Sequence, residues 1–178
     1  TVTSRQGLFR APRVVLSAGL GNRKLAPLVG LRQPLRPQKG QILVTQKTDR
    51  LIRHPMTLLR QTAEGSIMIG DSKEEVGFDI SSTTDVMAQI ASRAERTIPA
   101  LKHQQIIRSW GALRVMSPDG YPVYDQSTTH PGAYAVTCHS GVTLAAVHAM
   151  DLAGDIAAGR LADNLHAFTE RRFDVSPG

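Results

Sequence analysis

A strand-like run over residues 133–136 passes through Thr137 into the polar turn Cys138-His139-Ser140-Gly141. An Ala-rich helix over residues 142–158 follows at once. This junction constrains the fold more than any other feature of the chain. A strand that delivers the backbone to a helix start gathers unpaired N–H groups and the positive end of the helix dipole at one point. That point suits an electron-rich ligand. Any strand–helix unit offers the same chemistry, so an ordinary helix cap by Ser140 explains the turn equally well from the residues alone. The helix itself is small and aliphatic except for the stripe His148, Asp151, Asp155. That composition predicts that most of its surface is buried, with Gly159 as its stop.

Elsewhere the chain alternates short strands with one amphipathic helix. Residues 13–19 read as a buried parallel-type strand ending in the glycine turn at Gly19. Residues 23–30 read as a short helix stopped by Gly30, and prolines 34 and 37 keep the following segment extended. Residues 40–46 form a strand by β-branched content. Residues 56–62 and 66–70 flank Ala63-Glu64-Gly65 as a hairpin. Residues 70–79 form a polar loop. Residues 82–96 place Val86, Met87, Ile90, Ala91 and Ala94 on one stripe of a helix, opposite Asp85, Gln89, Ser92, Arg93 and Arg96. Residues 103–114 form a long strand, bent at Gly111. Ser117-Pro118-Asp119-Gly120 is a turn, and residues 164–173 form a short helix with a docking peptide. The order predicts an antiparallel α+β middle inserted into an α/β pair made by the two ends.

Bulk properties exclude several classes. The charge of +6 raises the question of nucleic acid, but the basic residues are scattered and aromatics are only 4%, so a solvated basic face or subunit contact explains them and no nucleic-acid partner is expected. No apolar run reaches the length of a membrane span. The single cysteine, Cys138, leaves no internal disulfide or multi-cysteine metal site and fits a reducing, cytoplasmic setting, any membrane association then coming through a partner. The His148, Asp151, Asp155 stripe is a hydrogen-bonded helix face rather than a metal site.

Four segments, in order, resemble the C-terminal part of the D-amino-acid-oxidase-type family of FAD-dependent oxidoreductases, which includes glycine and sarcosine oxidases. They are Val14-Val15-Leu16-Ser17-Ala18-Gly19, Pro37-Gln38-Lys39-Gly40-Gln41, Trp110-Gly111-Ala112-Leu113-Arg114 with Asp119-Gly120-Tyr121-Pro122, and Cys138-His139-Ser140-Gly141-Val142-Thr143-Leu144. The last is most similar to the branch of opine oxidase and hydrogen cyanide synthase FAD subunits. Three positions depart from the pattern: Val115 follows Leu113-Arg114 where the family has proline, Tyr124-Asp125 stands for Ile-Gly, and Cys138 stands for glycine. The Gly-x-Gly-x-x-Gly dinucleotide fingerprint is missing, since Gly19-Leu20-Gly21 lacks the third glycine and the acidic residue beyond it.

The resemblance implies an FAD-binding domain ending in residues 1–37, a substrate domain over 38–110 with an antiparallel sheet and a helix, and a return to the FAD-binding domain over 111–178. It implies FAD as cofactor, with Ala18 and Gly19 near the adenylate half and His139, Ser140, Gly141, Val142 and Thr143 at the flavin's pyrimidine edge. It implies Arg114 as the clamp on a substrate carboxylate, and no side-chain base. The activity implied is oxidation of the C–N bond of glycine, a D-amino acid or an opine. The partner implied is the missing dinucleotide-binding part or another subunit. The alternative is a non-catalytic binding or assembly module built on the same fold. For single residues, packing explains Trp110, turn chemistry explains Asp119 and Gly120, and Cys138 is a small buried residue rather than a nucleophile.

Overall fold

Alternation along the 12-residue strand β4 (Arg36–Lys47) builds the larger sheet. Lys39, Gln41, Leu43 and Thr45 turn to one face and are buried; Ile42 and Val44 turn to the other and are half-buried. The computed structural model describes residues 1–174; the last four positions of the expected third segment, 111–178, lie outside the described residues. The chain divides into two units. One is Pro37–Arg114; the other joins Thr1–Arg36 to the chain from Val115 onward.

In the Pro37–Arg114 unit the sheet order is β5 (Leu59–Gln61), β6 (Ser66–Ile69), β4, β7 (Ile106–Met116). Strand β6 is antiparallel to both β4 and β5, with Leu43, Ile69 and Leu59 in one cross-strand row and Val44, Met68 and Arg60 in the next. The hairpin turns at Gly65, whose φ of +102° is left-handed. The first row packs under α2 (Thr84–Thr97). Ile90 and Ala94 are buried with Leu43, Ile52, Leu59, Ile67, Ile69 and Leu101, and Val86, Met87 and Ala91 pack against them. The helical stripe read from the sequence is therefore the face that covers the sheet. No side chain caps the start of α2; the Thr83 backbone N–H donates to Gln41 Oε1 at 3.0 Å.

In the other unit the two ends of the chain meet. Strand β3 (Val14–Leu16) lies parallel to β9 (Ala133–Thr137), which lies antiparallel to β8 (Val123–Gln126). Strand β3 was expected to be buried, yet Val15 is 41% exposed, because the face it turns to carries no close-packed layer in this unit. The fully buried Asn22, in the short helix α1 (Asn22–Leu25), ties the strand ends together. It accepts from Ala18 N at 3.0 Å and donates to Leu16 O at 2.8 Å and to Thr137 Oγ1 at 2.7 Å. A left-handed Gly30 ends the following 3₁₀ turn, as expected. The antiparallel pair β1 (Val2–Ser4) and β2 (Gly7–Phe9) was not expected; its residues are exposed and carry no alternating pattern.

The last helix differs from its expectation in two ways. It starts at α3 (Ala145–Val147), passes through a π-helical turn (His148–Leu152) and ends in α4 (Ala153–Ala158). It is also mostly exposed: Leu152 is buried, but Val147 is 49% and Met150 80% exposed. Small side chains made the surface look like core, yet one stripe alone finds sheet to pack on. The tail forms 3₁₀ turns over Asp163–Phe168 and Glu170–Phe173. It docks through Arg172 on Asp119 at 2.7 Å and Glu170 on Arg32 at 2.6 Å.

Candidate functional site

Each unit carries its own candidate site. In the unit made by the chain ends, the carboxyl ends of the parallel strands β3 and β9 open onto a cleft of about 450 Å³. Ser17, Gly19, Thr137 and Cys138 line it from the strand ends, and His148, Leu152, Ala153 and Ile156 from the last helix. Gly19 has a φ of +55°, so the chain turns sharply under the cleft where an L side chain is strained. Crevices outside the carboxyl ends of parallel strands are where open α/β sheets take their ligands.

His148, on the cleft wall, belongs to a hydrogen-bonded pair that sequence reading did not identify. Tyr124 Oη and His148 Nε2 lie 2.7 Å apart, with the rings edge to face. Burial pushes the Tyr124 phenol up to about 12, so it stays protonated and available as a donor. Burial also pushes the Cys138 thiol up, which keeps it out of the thiolate form at neutral pH. The π-helical turn begins at His148, and such turns are frequent at functional sites; the available sequence signal was the histidine in the helix's one polar stripe.

Of the residues expected at the cofactor, Gly19 lines this cleft. Ala18 lies beside it, its N–H committed to Asn22. His139, Ser140, Gly141, Val142 and Thr143 form the exposed turn before the last helix, and Val142 is 95% exposed. Ser140 O accepts from Leu144 N at 3.0 Å, while the N–H groups of residues 141–143 have no intrachain partner among the described residues.

The second candidate site lies in the Pro37–Arg114 unit, on the sheet face turned away from α2. Ile42, Val44 and Met68 are half-buried there, and Arg60 and Ala112 are exposed. Arg114 is 21% exposed. Its Nη1 donates to Ser72 O at 2.9 Å and Lys39 O at 3.3 Å; its Nη2 donates to Asp71 Oδ2 at 2.7 Å. A guanidinium has five N–H donors. The Nε–H and one Nη2 proton have no partner among the described residues, so two donors remain for a ligand.

The loop that supplies Asp71 and Ser72 is fastened from the opposite sheet face. Lys39, 1% exposed, reaches Asp79 at 2.8 Å, Glu74 at 3.2 Å and Ser81 O at 3.1 Å. The Lys39 ammonium and the Ser81 groups hold the Asp79 carboxyl down at about 2. Burial pushes Glu74 up, but hydrogen bonds from Ser72, Lys39 and Gln41 outweigh it and leave the carboxyl below its ordinary range. A depressed carboxyl stabilises above its unfolded pKa and loses that contribution as pH falls through its folded one. The fastening is therefore complete at neutral pH and fades towards pH 2. Lys39→Met is expected to speed amide exchange across residues 72–81 while leaving α2 protected. Unchanged exchange in the loop would show that Lys39 does not hold it.

A family described as FAD dependent oxidoreductase, DAO, matches residues 1–154. The chain belongs to the DAO family. Among curated relatives, an opine oxidase subunit of Agrobacterium tumefaciens (strain Ach5) is 53% identical over 161 residues, which cover 90% of this chain and 43% of that protein. Hydrogen cyanide synthase subunit HcnC of Pseudomonas protegens is 29% identical, covering 98% of this chain and 44% of that protein. The chain thus spans less than half the length of these curated relatives. Among solved structures, glycine oxidase from Geobacillus kaustophilus superposes with a TM-score of 0.84 at 20% identity, over 94% of this chain and 47% of that one. L-proline dehydrogenase from P. horikoshii gives 0.85 at 22%, over 97% and 50%. These two likenesses establish the mixed αβ fold.

The DAO family is FAD-dependent, and the cleft in this chain fits part of such a cofactor. It sits at parallel strand ends, its walls at Val15, Val136, Leu152 and Ile156 are apolar, and Gly19 permits close backbone approach. No helix among the described residues is long and apolar enough to cross a membrane.

Proposed function

We propose that this chain is the substrate-anchoring part of a flavin-dependent oxidoreductase that cleaves the C–N bond of an N-substituted amino acid of the opine type. The observation that carries the reading is Arg114, with two uncommitted donors on a half-apolar sheet face, in a DAO-family chain 53% identical to a relative named for opine oxidation.

Arg114 accepts the substrate carboxylate on its remaining N–H groups, a two-point contact that fixes orientation as well as position. Ile42, Val44 and Met68 give the carbon skeleton an apolar bed and exclude water from it. When bound, FAD supplies the two-electron acceptor for the hydride of the substrate's α-carbon. The oxidised substrate is an imine, and water hydrolyses it to an amine and a carbonyl compound; from an opine these are an amino acid and a 2-oxo acid. Val15, Ser17, Gly19, Thr137 and Cys138 contribute cofactor contacts in the cleft, and the N–H groups of residues 141–143 supply fixed donors for developing negative charge. No side-chain base is needed once the amine is neutral.

The complete protein, with any partner subunit, is expected to purify with flavin absorbance, which an N-(1-carboxyalkyl) amino acid bleaches anaerobically. The isolated 178-residue chain, which lacks the dinucleotide fingerprint, is expected to hold FAD weakly or not at all. Bleaching by glycine or a D-amino acid but not by the opine would overturn the substrate class. A complete protein that cannot be loaded with flavin would overturn the whole reading.

A further inference from the structure

Gly40 belongs to the Pro-x-x-Gly-Gln segment of β4, and nothing above gives it a role. Its backbone does not need a glycine, since its φ is outside the left-handed region. What it lacks is used. A Cβ on Gly40 would lie 2.6 Å from Cζ of Arg114 and closer still to both terminal nitrogens. Real Cβ atoms do not approach other heavy atoms so closely, so the guanidinium occupies the volume a side chain would take.

The surroundings fix what rests there. The neighbours on either side, Lys39 and Gln41, turn to the opposite face and are held by Asp79 and Glu74, and by Glu74 and Thr83. They leave β4 no freedom to recede. Lys39 O, Ser72 O and Asp71 close three sides of the guanidinium. A displaced guanidinium would give up these partners and turn its two open donors away from their present direction.

We propose that Gly40 is a positioning residue for substrate carboxylate recognition. It is the seat on which Arg114 lies flat against β4, with Asp71 as the lateral stop. The inference rests on Arg114 being the anchor and adds the reason its geometry is defined. It also makes Gly40 a determinant of specificity, because a misplaced guanidinium discriminates less between carboxylate and neutral substrates.

The test uses the complete, flavin-loaded enzyme. Gly40→Ala is expected to raise KM for the carboxylate substrate by about 10- to 100-fold, the scale of a misplacement near 1 Å. Flavin content should be unchanged, and so should KM for an amine that lacks the carboxylate. In an Arg114→Ala background Gly40→Ala should add nothing. If Gly40→Ala lowers the melting temperature, the double variant should recover it, since no guanidinium is left to clash. An unchanged KM in Gly40→Ala alongside a raised KM in Arg114→Ala overturns the seat and spares the anchor. An Arg114→Ala variant with unchanged KM overturns the anchor and the seat with it. A double variant that is additive in KM, or one that fails to recover a melting temperature lowered by Gly40→Ala, overturns the steric argument.

Discussion

Arg114→Ala is expected to weaken apparent substrate binding by roughly 30- to 1000-fold. Truncating one partner of a hydrogen-bonded charge pair at a binding site costs about 2–4 kcal/mol, and each decade is about 1.4 kcal/mol. The structure separates this loss from a loss of stability. The Arg114–Asp71 ion pair is partly exposed, at 21% and 36%, so breaking it alone should cost under about 1 kcal/mol of folding stability. Lys39 still fastens the loop from the other face. The variant should therefore keep its flavin and nearly its melting temperature while kcat/KM falls. Arg114→Lys should recover only part of the loss, because an ammonium lacks the planar two-point contact and cannot bond Lys39 O, Ser72 O and Asp71 in one plane. Steady-state kinetics on the complete enzyme decide it. An unchanged kcat/KM would make Arg114 a structural residue that ties Asp71 and Ser72 to β4.

What the sequence carried well was periodic or covalently local. The Val86, Met87, Ile90, Ala91, Ala94 stripe has the period of a helix and became the face of α2 on the sheet. The Gly65 and Gly30 turns followed from left-handed φ alone. The meeting of the chain ends, seen as the pairing of β3 with β9, followed from the order of the elements along the chain rather than from a pattern within either strand. What was illegible depends on partners far along the chain. Gly40 and Arg114 meet only in the folded sheet, and no local signal distinguishes a glycine that makes room from one that makes a turn. Asn22 reads as an ordinary polar residue until Thr137 is brought beside it. The last helix misled because small residues look the same on a packed face and on a bare one; exposure is a property of what lies opposite. His148 was read as part of a polar stripe, whereas the π-helical turn and Tyr124 bring it into the cleft lining.

Asp125→Asn is expected to stabilise the protein above pH 6 and to do little near pH 4. Asp125 stands on β8, 6% exposed, where the resembling family has glycine. Its carboxyl accepts from Glu170 N at 3.2 and 3.3 Å and from Gln33 Nε2 at 3.1 Å. Burial nevertheless pushes it up to about 6 from 3.8, helped by the Glu170 charge and opposed by the Glu170 N–H and by Arg172 and Arg171. The folded state thus binds the proton more tightly than the unfolded chain does. Between about pH 4 and pH 6 the folded form holds more protons, so stability falls as pH rises, and above 6 the loss is complete. At about 1.4 kcal/mol per pKa unit the full loss is up to about 3 kcal/mol. An asparagine never ionises, so it escapes that loss. It also has a use for its second group. An amide at position 125 keeps both contacts: its oxygen can accept from Glu170 N and, with the Gln33 amide turned over, its NH2 can donate to Gln33 Oε1 in place of the present contact from Gln33 Nε2. A gain of about 1–3 kcal/mol should raise the melting temperature at pH 7–8, at roughly 2–4 °C per kcal/mol for a chain of this size. The same comparison at pH 4 should show almost no difference. A shift of equal size at both pH values would mean that charge burial at Asp125 is not the cause. A lower melting temperature at pH 7 would mean that the carboxylate is needed to dock the Glu170–Phe173 turn.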